Sequence, residues 1–276
     1  MENNGVIYYN RGLKMIVRLA VSIHSLRKHY KGRFTILSQG DDCKDVCQEI
    51  AAYYGGRCQH VDFKTTPGER DTYLNACLSH EKTPYDISVW LDSDTVVLRE
   101  FNELFSAAEK NEFAIAQFST WKSSGGKIRG RIKSWESLYP DWVQPAIDYG
   151  PAINCGVFAF RKDSKLMADW WNLAEPGRHL SWIPDETCCQ LILHRYPHII
   201  MPQEYNTSCK YGKREGARII HYHGRKHCRI LNDKPINMSD LWWKEYEEIK
   251  NLPFVKKYVD RDRMLKKNMP LWKGIK

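Results

Sequence analysis

The stretch VWLDSDTVVL, residues 89–98, decides how this chain is read. Apolar residues bracket two carboxylates, Asp92 and Asp94, with only Ser93 between them. An apolar run of this kind suits a buried central strand of a parallel sheet. In such sheets ligands bind beyond the carboxyl ends of the strands, which is where the two aspartates fall. Residues two apart on a strand point the same way, so both carboxylates share one face. Like charges that close repel unless a cation joins them. A hard divalent cation bound through oxygen, and shared with substrate phosphates, answers that need. D-x-D is short and common, so the simpler reading, turn or cap residues at a strand end, stands beside this one.

The first half of the chain alternates strand and helix. GVIYY (5–9) is β-branched and aromatic. LKMIVRLAVSIHSLRKHY (13–30) carries apolar residues at helical spacing. RFTILSQG (33–40) reads as a strand, KDVCQEIAAYYGG (44–56) as a helix closed by a glycine pair, and RCQHVDF (57–63) as a strand. RDTYLNACLSHE (70–81) reads as a third helix leading into residues 89–98. The alternation predicts an α/β fold: a Rossmann-like, mostly parallel central sheet with helices on both faces. No G-x-G-x-x-G follows the first strand, which argues against a simple dinucleotide site.

The second half differs. FAIAQFST (113–120) reads as a strand. Residues 121–150, rich in Lys, Arg, Gly and Trp, lack periodicity and read as a long lid-like connection. AINCGVFAFR (152–161) reads as a strand with Gly156 in its middle, and a glycine inside a strand often marks a close approach to the backbone. SKLMADWWNLA and PDETCCQLILHRY are helices, and RIIHYHG (218–224) is a late strand. From residue 239 the chain reads as a helical tail.

The order of these features resembles the GT-A nucleotide-sugar-dependent glycosyltransferases, near the small glycogenin-like and galactosyltransferase-like enzymes of bacteria and large DNA viruses. The resemblance rests on Asp92-Ser93-Asp94 after the Rossmann-like half, the NCG strand (Asn154, Cys155, Gly156), the acidic helix start (Asp185, Glu186) and the late HYHGRKH (221–227). His221-x-x-Gly224 is intact. Lys226 falls one residue earlier than in the H-x-x-G-x-x-K-P-W pattern, and His-Cys stands where that pattern has Pro-Trp.

The resemblance implies Mn2+ or Mg2+ and a UDP-sugar donor. Asp94 and His221 would hold the metal, with His223 an alternative to His221. Asp92 would meet the metal or the ribose. Tyr8, Tyr9 and Asn10 would meet the nucleobase, and Arg70 and Asn154 the donor sugar or diphosphate. Ser93, Gly156 and Gly224 complete the donor site. The chemistry can be argued independently, because sugar transfer expels a diphosphate whose growing charge needs a cation. Lys226 and Arg225 are placed to add charged hydrogen bonds. Asp185 and Glu186 are candidates for the general base that deprotonates an acceptor hydroxyl in an inverting displacement. Acids in a first helical turn also simply complement the dipole. Trp121, Trp135 and Trp142 are candidates for an acceptor groove, against ordinary core packing. His221, His223, His227, Cys228 and Cys209 are zinc-ligand types, without a standard pairwise spacing.

The 276 residues, 42% of them apolar, suffice for a large core, and the net charge is +9. The sequence reads as one GT-A domain over 1–230, with a nucleotide-binding half (1–98) and an acceptor half (99–230), followed by a C-terminal extension over 231–276. The nine cysteines read as reduced thiols. No leader-like or bilayer-spanning run is evident, so the expectation is a soluble, cytoplasmic protein. The basic balance suits a polyanion. Nucleic-acid binding would explain it, but not the paired aspartates or the element order. A sugar nucleotidyltransferase would need a better glycine-rich loop than YYNRGLK (8–14). The expected partners are therefore a UDP-sugar and a glycan or glycoconjugate acceptor, with no nucleic acid. From Leu241 onward ten Lys/Arg oppose five Asp/Glu, interleaved with Trp and Leu, which suits peripheral contact with a membrane.

Overall fold

The computed structural model describes residues 3–63, 73–119, 129–224 and 226–275. The protein is a mixed α/β fold with a mostly parallel central sheet flanked by helices. In chain order the principal elements are β1 (Asn4–Arg11), α1 (Ile16–His29), β2 (Arg33–Gln39), α2 (Asp41–Tyr53), β3 (Arg57–His60), β4 (Ile87–Leu91) and β5 (Thr95–Val97). Then follow α3 (Glu103–Asn111), β6 (Phe113–Ser119), α4 (Pro140–Tyr149), β7 (Ala152–Arg161), α5 (Lys165–Ala174), α6 (Pro184–Ile192) and β8 (Ile199–Met201). The chain ends with β9 (Thr207–Ser208), β10 (Ile219–His221), α7 (Ser239–Ile249) and α8 (Arg263–Ile275). The largest sheet has the strand order β3-β2-β1-β4-β7-β6-β8. Strands β5, β10 and β9 form a separate small sheet.

The fold comprises two compact units interleaved in sequence. One contains Phe63–Trp90 and Asn102–Gln203, with the start of the chain. Its β6 runs antiparallel to β7, pairing Phe113 with Phe160, and parallel to β8. Its core is aromatic: Phe158 stacks on Trp90 at 5.7 Å and on Phe113 at 5.6 Å, and Trp170 meets both phenylalanines edge-on. Each such pair adds about 0.5–1.5 kcal/mol beyond the area it buries.

The other unit contains Ile7–Asp62, Leu91–Phe101 and Glu204–Lys276. In it β2 and β3 are parallel, from Thr35 opposite Arg57 to Ser38 opposite His60. Helix α1 buries Ile16, Leu19, Ala20, Ile23 and Leu26, while Arg27, Lys28 and His29 complement its dipole in the last turn. In α7, Trp242 and Trp243 are fully buried, and Trp243 stacks on Trp272 of α8 at 5.0 Å.

Three expectations about elements change. The third helix is a 3-10 turn (Tyr73–Ala76) and one short helical turn (Ser79–Lys82), with residues 64–72 outside the described residues. Residues 89–98 are not one strand: β4 stops at Leu91, 92–94 turn, and β5 joins the other sheet. The 121–150 connection is helical at 129–133 and again in α4, and residues 121–128 lie outside the described residues. Among the described residues no helix is long and apolar enough to cross a membrane. All nine cysteines are free thiols, eight of them buried.

Candidate metal and donor site

The site builds from the break in residues 89–98. Leaving β4, the chain turns at Asp92–Asp94 and is locked from inside by hydroxyl groups. Thr95 Oγ1 donates to the Asp92 carbonyl at 2.8 Å, and Ser22 Oγ bridges Thr95 Oγ1 (2.8 Å) and the Tyr8 hydroxyl (3.1 Å). Ser93 Oγ donates to the Tyr9 carbonyl at 3.1 Å. The turn is thereby tied to the end of β1 and to α1.

Strand β5 then pairs antiparallel with β10, placing Thr95 opposite His221. That register brings the imidazole to the aspartates. His221 Nε2 lies 3.2 Å from Asp94 Oδ1 and 3.5 Å from Asp92 Oδ2. Asp94 and His221 are buried, whereas the Asp92 side chain is 40% exposed. After β10 the backbone enters the left-handed region at His223 (φ 49°) and Gly224 (φ 79°). This turn aims the Gly224 N–H at Asp94 Oδ2, while the Tyr222 N–H donates to the Asp94 carbonyl at 3.0 Å. Burial alone would raise the Asp94 carboxyl. The charge and hydrogen bond of His221, with Arg18 and the Gly224 amide, outweigh it and hold Asp94 below the usual carboxylate range.

The donor set can be tested against a divalent ion. An octahedral ion with ligands near 2.1 Å sets adjacent ligand atoms about 3 Å apart. The three ligand atoms of Asp92, Asp94 and His221 lie within 4.8 Å of one another, and the two nearest separations approach that spacing. Carboxylates suit Mg2+ and Mn2+, and the imidazole tilts the set toward the transition ion. The residues therefore fit the group.

His223 fits a different role. Its Nε2 meets Ser208 Oγ at 2.9 Å, and burial, then the neighbouring His221 charge, pushes its pKa down to about 2. Among the described residues it is His221, not His223, that joins the two aspartates in one cluster. His227 is fully buried against Trp242 and stands 3.1 Å from Asp262, and Cys228 is buried, so neither joins the cluster. A second cluster, His24, Glu245 and Glu248, holds the Lys28 ammonium 2.7–2.8 Å from its carboxylates and is explained as an ion-pair network.

Of the expected nucleobase contacts, Tyr8 is fully buried and presents no ring face to a ligand. Tyr9 is partly exposed and donates to Gln39 Oε1 at 2.6 Å. Asn10 is buried at the end of β1 and donates to the Gly12 carbonyl at 3.0 Å. Lys226 is half-buried beyond Gly224. Arg70, Trp121 and Arg225 lie outside the described residues.

The remaining residues cluster within the other unit. Pro184 opens α6, and Asp185 and Glu186 in its first turn are both buried. Glu186 accepts from Arg131 Nη1 at 2.8 Å and from Asn154 Nδ2 at 2.5 Å, using both oxygens. Asn154 Oδ1 in turn accepts from the Gly156 N–H at 3.1 Å. Arg131, Ile132, Ile153, Glu186, Thr187 and Gln190 line a small depression here. Of the loop tryptophans, Trp135 is fully buried and is core rather than groove, with Gly177 packed against its ring. Trp142 stacks on Tyr139 at 4.8 Å under the Arg195 guanidinium.

Sequence reasoning singled out neither Arg18 nor Asp262, and it took Arg131 only as one of the basic residues between Lys122 and Lys133 that would close over the diphosphate, whereas Arg131 bonds Glu186. For Arg18 a signal existed, a charge inside the apolar face of MIVRLAVSI.

No family model and no curated protein matches the sequence. Solved structures match over most of its length. The bifunctional glycosyltransferase WbbM is 14% identical, with 95% of this chain covered, 52% of that chain and a TM-score of 0.65. The galactosyltransferase LgtC, in complex with donor and acceptor sugar analogues, is 12% identical, with 93% and 99% covered and a TM-score of 0.62. Mouse xyloside xylosyltransferase 1 is 13% identical, with 80% and 98% covered and a TM-score of 0.57. The chain spans about half of the WbbM chain. The protein thus has a GT-A-like glycosyltransferase fold.

Proposed function

We propose that the protein is a metal-dependent glycosyltransferase. It would move a sugar of the glucose, galactose or xylose class from a UDP-sugar to a hydroxyl of a glycan or glycoconjugate. The observation that carries this reading is the convergence of Asp92, Asp94 and His221 on one point, in a chain with this fold. Asp94 and His221 would hold Mn2+ or Mg2+, with Asp92 completing the set or meeting the ribose. A divalent ion bound there supplies Lewis-acid stabilisation of the departing diphosphate. Ser93, Gly224 and Lys226 would orient the diphosphate, and Tyr9 and Asn10 the base. Asn154, fixed by Glu186 and by the Gly156 amide, would present its amide to the donor sugar. Arg70 keeps its assignment to the donor.

In the transfer, the bond from the sugar's anomeric carbon to the diphosphate oxygen breaks and a bond to the acceptor oxygen forms. The acceptor's proton needs a base. We assign it to Asp185, because both oxygens of Glu186 are already engaged. As part of this proposal the protein would be cytoplasmic, where it would meet its glycan or glycoconjugate acceptor. We extend the reading to peripheral membrane contact through α8, where Leu271 and Ile275 are exposed among lysines. Trp272 takes no part, since it packs on Trp243 and donates to Glu247.

The test is UDP release from UDP-glucose, UDP-galactose and UDP-xylose with Mn2+, with Mg2+ and with chelator. One donor should turn over with metal and stop with chelator. Failure of every donor with either metal removes the reading.

A further inference from the structure

Arg18 is a charge on the buried face of α1, with its side chain 10% exposed. Burying a guanidinium is costly unless every donor finds a partner. Arg18 Nε and Nη2 grip both oxygens of Asp262 at 2.6 and 3.1 Å, and Nη1 donates to the Gly224 carbonyl. Asp262 is itself fully engaged. Its Oδ1 accepts from the Met264 and Leu265 amides at 2.9 and 3.2 Å, capping the start of α8. Its Oδ2 stands 3.1 Å from His227 Nε2.

Gly224 is therefore held at both ends: its carbonyl by Arg18, its N–H by Asp94. The turn it belongs to is strained, because His223 sits at φ 49°. Such a conformation persists only where its surroundings over-determine it. The same turn follows directly on His221 at the end of β10 and supplies the amide that orients Asp94.

We propose that Arg18 and Asp262 are positioning residues for the cation site, and that the C-terminal helix α8 belongs to that site through them. The proposal rests on the reading of Asp92, Asp94 and His221 as metal ligands. Groups that orient metal ligands from behind are worth about 10–100-fold in metal affinity. By reciprocity, a cation bound at Asp94 strengthens the cap on α8.

The test is Mn2+ affinity of the full chain by calorimetry and by the paramagnetic resonance of free Mn2+. Arg18→Lys, Asp262→Asn and Asp94→Asn are compared with the unsubstituted chain, with circular dichroism to confirm folding. Arg18→Lys keeps a charge for Asp262 but loses the fork that reaches Gly224. We expect Mn2+ binding about 10-fold weaker or more in Arg18→Lys and Asp262→Asn, and lost in Asp94→Asn. A merely structural ion pair would lower the melting temperature and leave the affinity of the folded molecule unchanged. Affinity within twofold of the unsubstituted chain in both positioning variants, with Asp94→Asn still abolishing binding, overturns the proposal alone. No Mn2+ binding by the unsubstituted chain overturns the metal reading and the proposal with it. Should the variants not fold, hydrogen exchange on the unsubstituted chain decides. Mn2+ should slow exchange of the Met264 and Leu265 amides, and unchanged exchange at saturating Mn2+ refutes the coupling.

Discussion

Replacing Glu186 by Gln separates a base from a brace. The Glu186 carboxylate is 9% exposed and bonded to Arg131 and Asn154, and Arg131 is 27% exposed. Glutamine keeps the length and one acceptor oxygen, so the Asn154 contact can persist. The bond to the charged Arg131 is then lost, because the glutamine NH2 faces a guanidinium that can only donate. A hydrogen bond to a charged group contributes about 1.5–3 kcal/mol, and water reaching the partly exposed guanidinium offsets some of that. The loss should be about 1–2 kcal/mol, or a melting temperature lower by about 2–8 °C in a chain of this size. If Glu186 only braces Asn154, UDP release per folded molecule should fall by less than about 10-fold. If Asp185 takes the acceptor's proton, Asp185→Asn should fall by about 10²–10⁴-fold. UDP affinity should survive both changes. The measurements are thermal unfolding, UDP binding by calorimetry, and donor turnover. A Glu186→Gln protein of unchanged melting temperature but hundred-fold lower turnover, beside a fully active Asp185→Asn protein, would reverse the assignment.

Asp94→Asn should abolish metal-stimulated UDP release and Mn2+ binding while leaving the circular dichroism spectrum unchanged; retained metal-dependent turnover contradicts the site. The pH dependence of stability follows from groups whose folded pKa is depressed. His223 stays neutral when folded but protonates below about pH 6.5 when unfolded, so metal-free stability should fall by about 2 kcal/mol between pH 6.5 and pH 5, and His223→Gln should flatten that limb in urea titrations. For Asp262, burial raises the carboxyl but His227 and Arg18 bring it below its ordinary range. Its contribution is complete above about pH 4 and lost as pH falls further, so Asp262→Asn should remove part of the acid transition below pH 4. Leu271→Ser with Ile275→Ser should reduce co-sedimentation with anionic vesicles at constant melting temperature; unchanged binding excludes that surface. Trp135→Ala should cost about 3–5 kcal/mol, as for a core ring, in chemical unfolding.

Local periodicity made much of the fold legible. Helix α1 and strand β2 lie where apolar spacing puts them, and β7 spans the AINCGVFAFR run. These elements bury one regular face, so the pattern survives in one dimension. Helix α4 does not show in that pattern. Pro140 opens it, Pro145 lies within it, and only Val143 and Ala146 are buried. Two prolines and a narrow apolar stripe look like a loop to any periodicity argument.

The D-x-D segment marks the boundary between what spacing can and cannot reveal. Spacing alone brings Asp92 and Asp94 to one place beyond a strand. Nothing local says that the strand breaks at Leu91, because Thr95–Val97 are as apolar and β-branched as the residues before them. The break is imposed by pairing with Ile219–His221, a contact between distant parts of the chain. That same pairing is what delivers the imidazole. Had residues 89–98 continued as one strand, Thr95 would not sit opposite His221, and no imidazole from β10 would stand beside the carboxylates. The irregularity that defeats local reading is therefore the feature that assembles the site, and the residues that stabilise it, Ser22 and Arg18, are polar positions inside an apolar helix face. A buried polar residue on an otherwise apolar helix face is the observation from which such a long-range turn can be inferred.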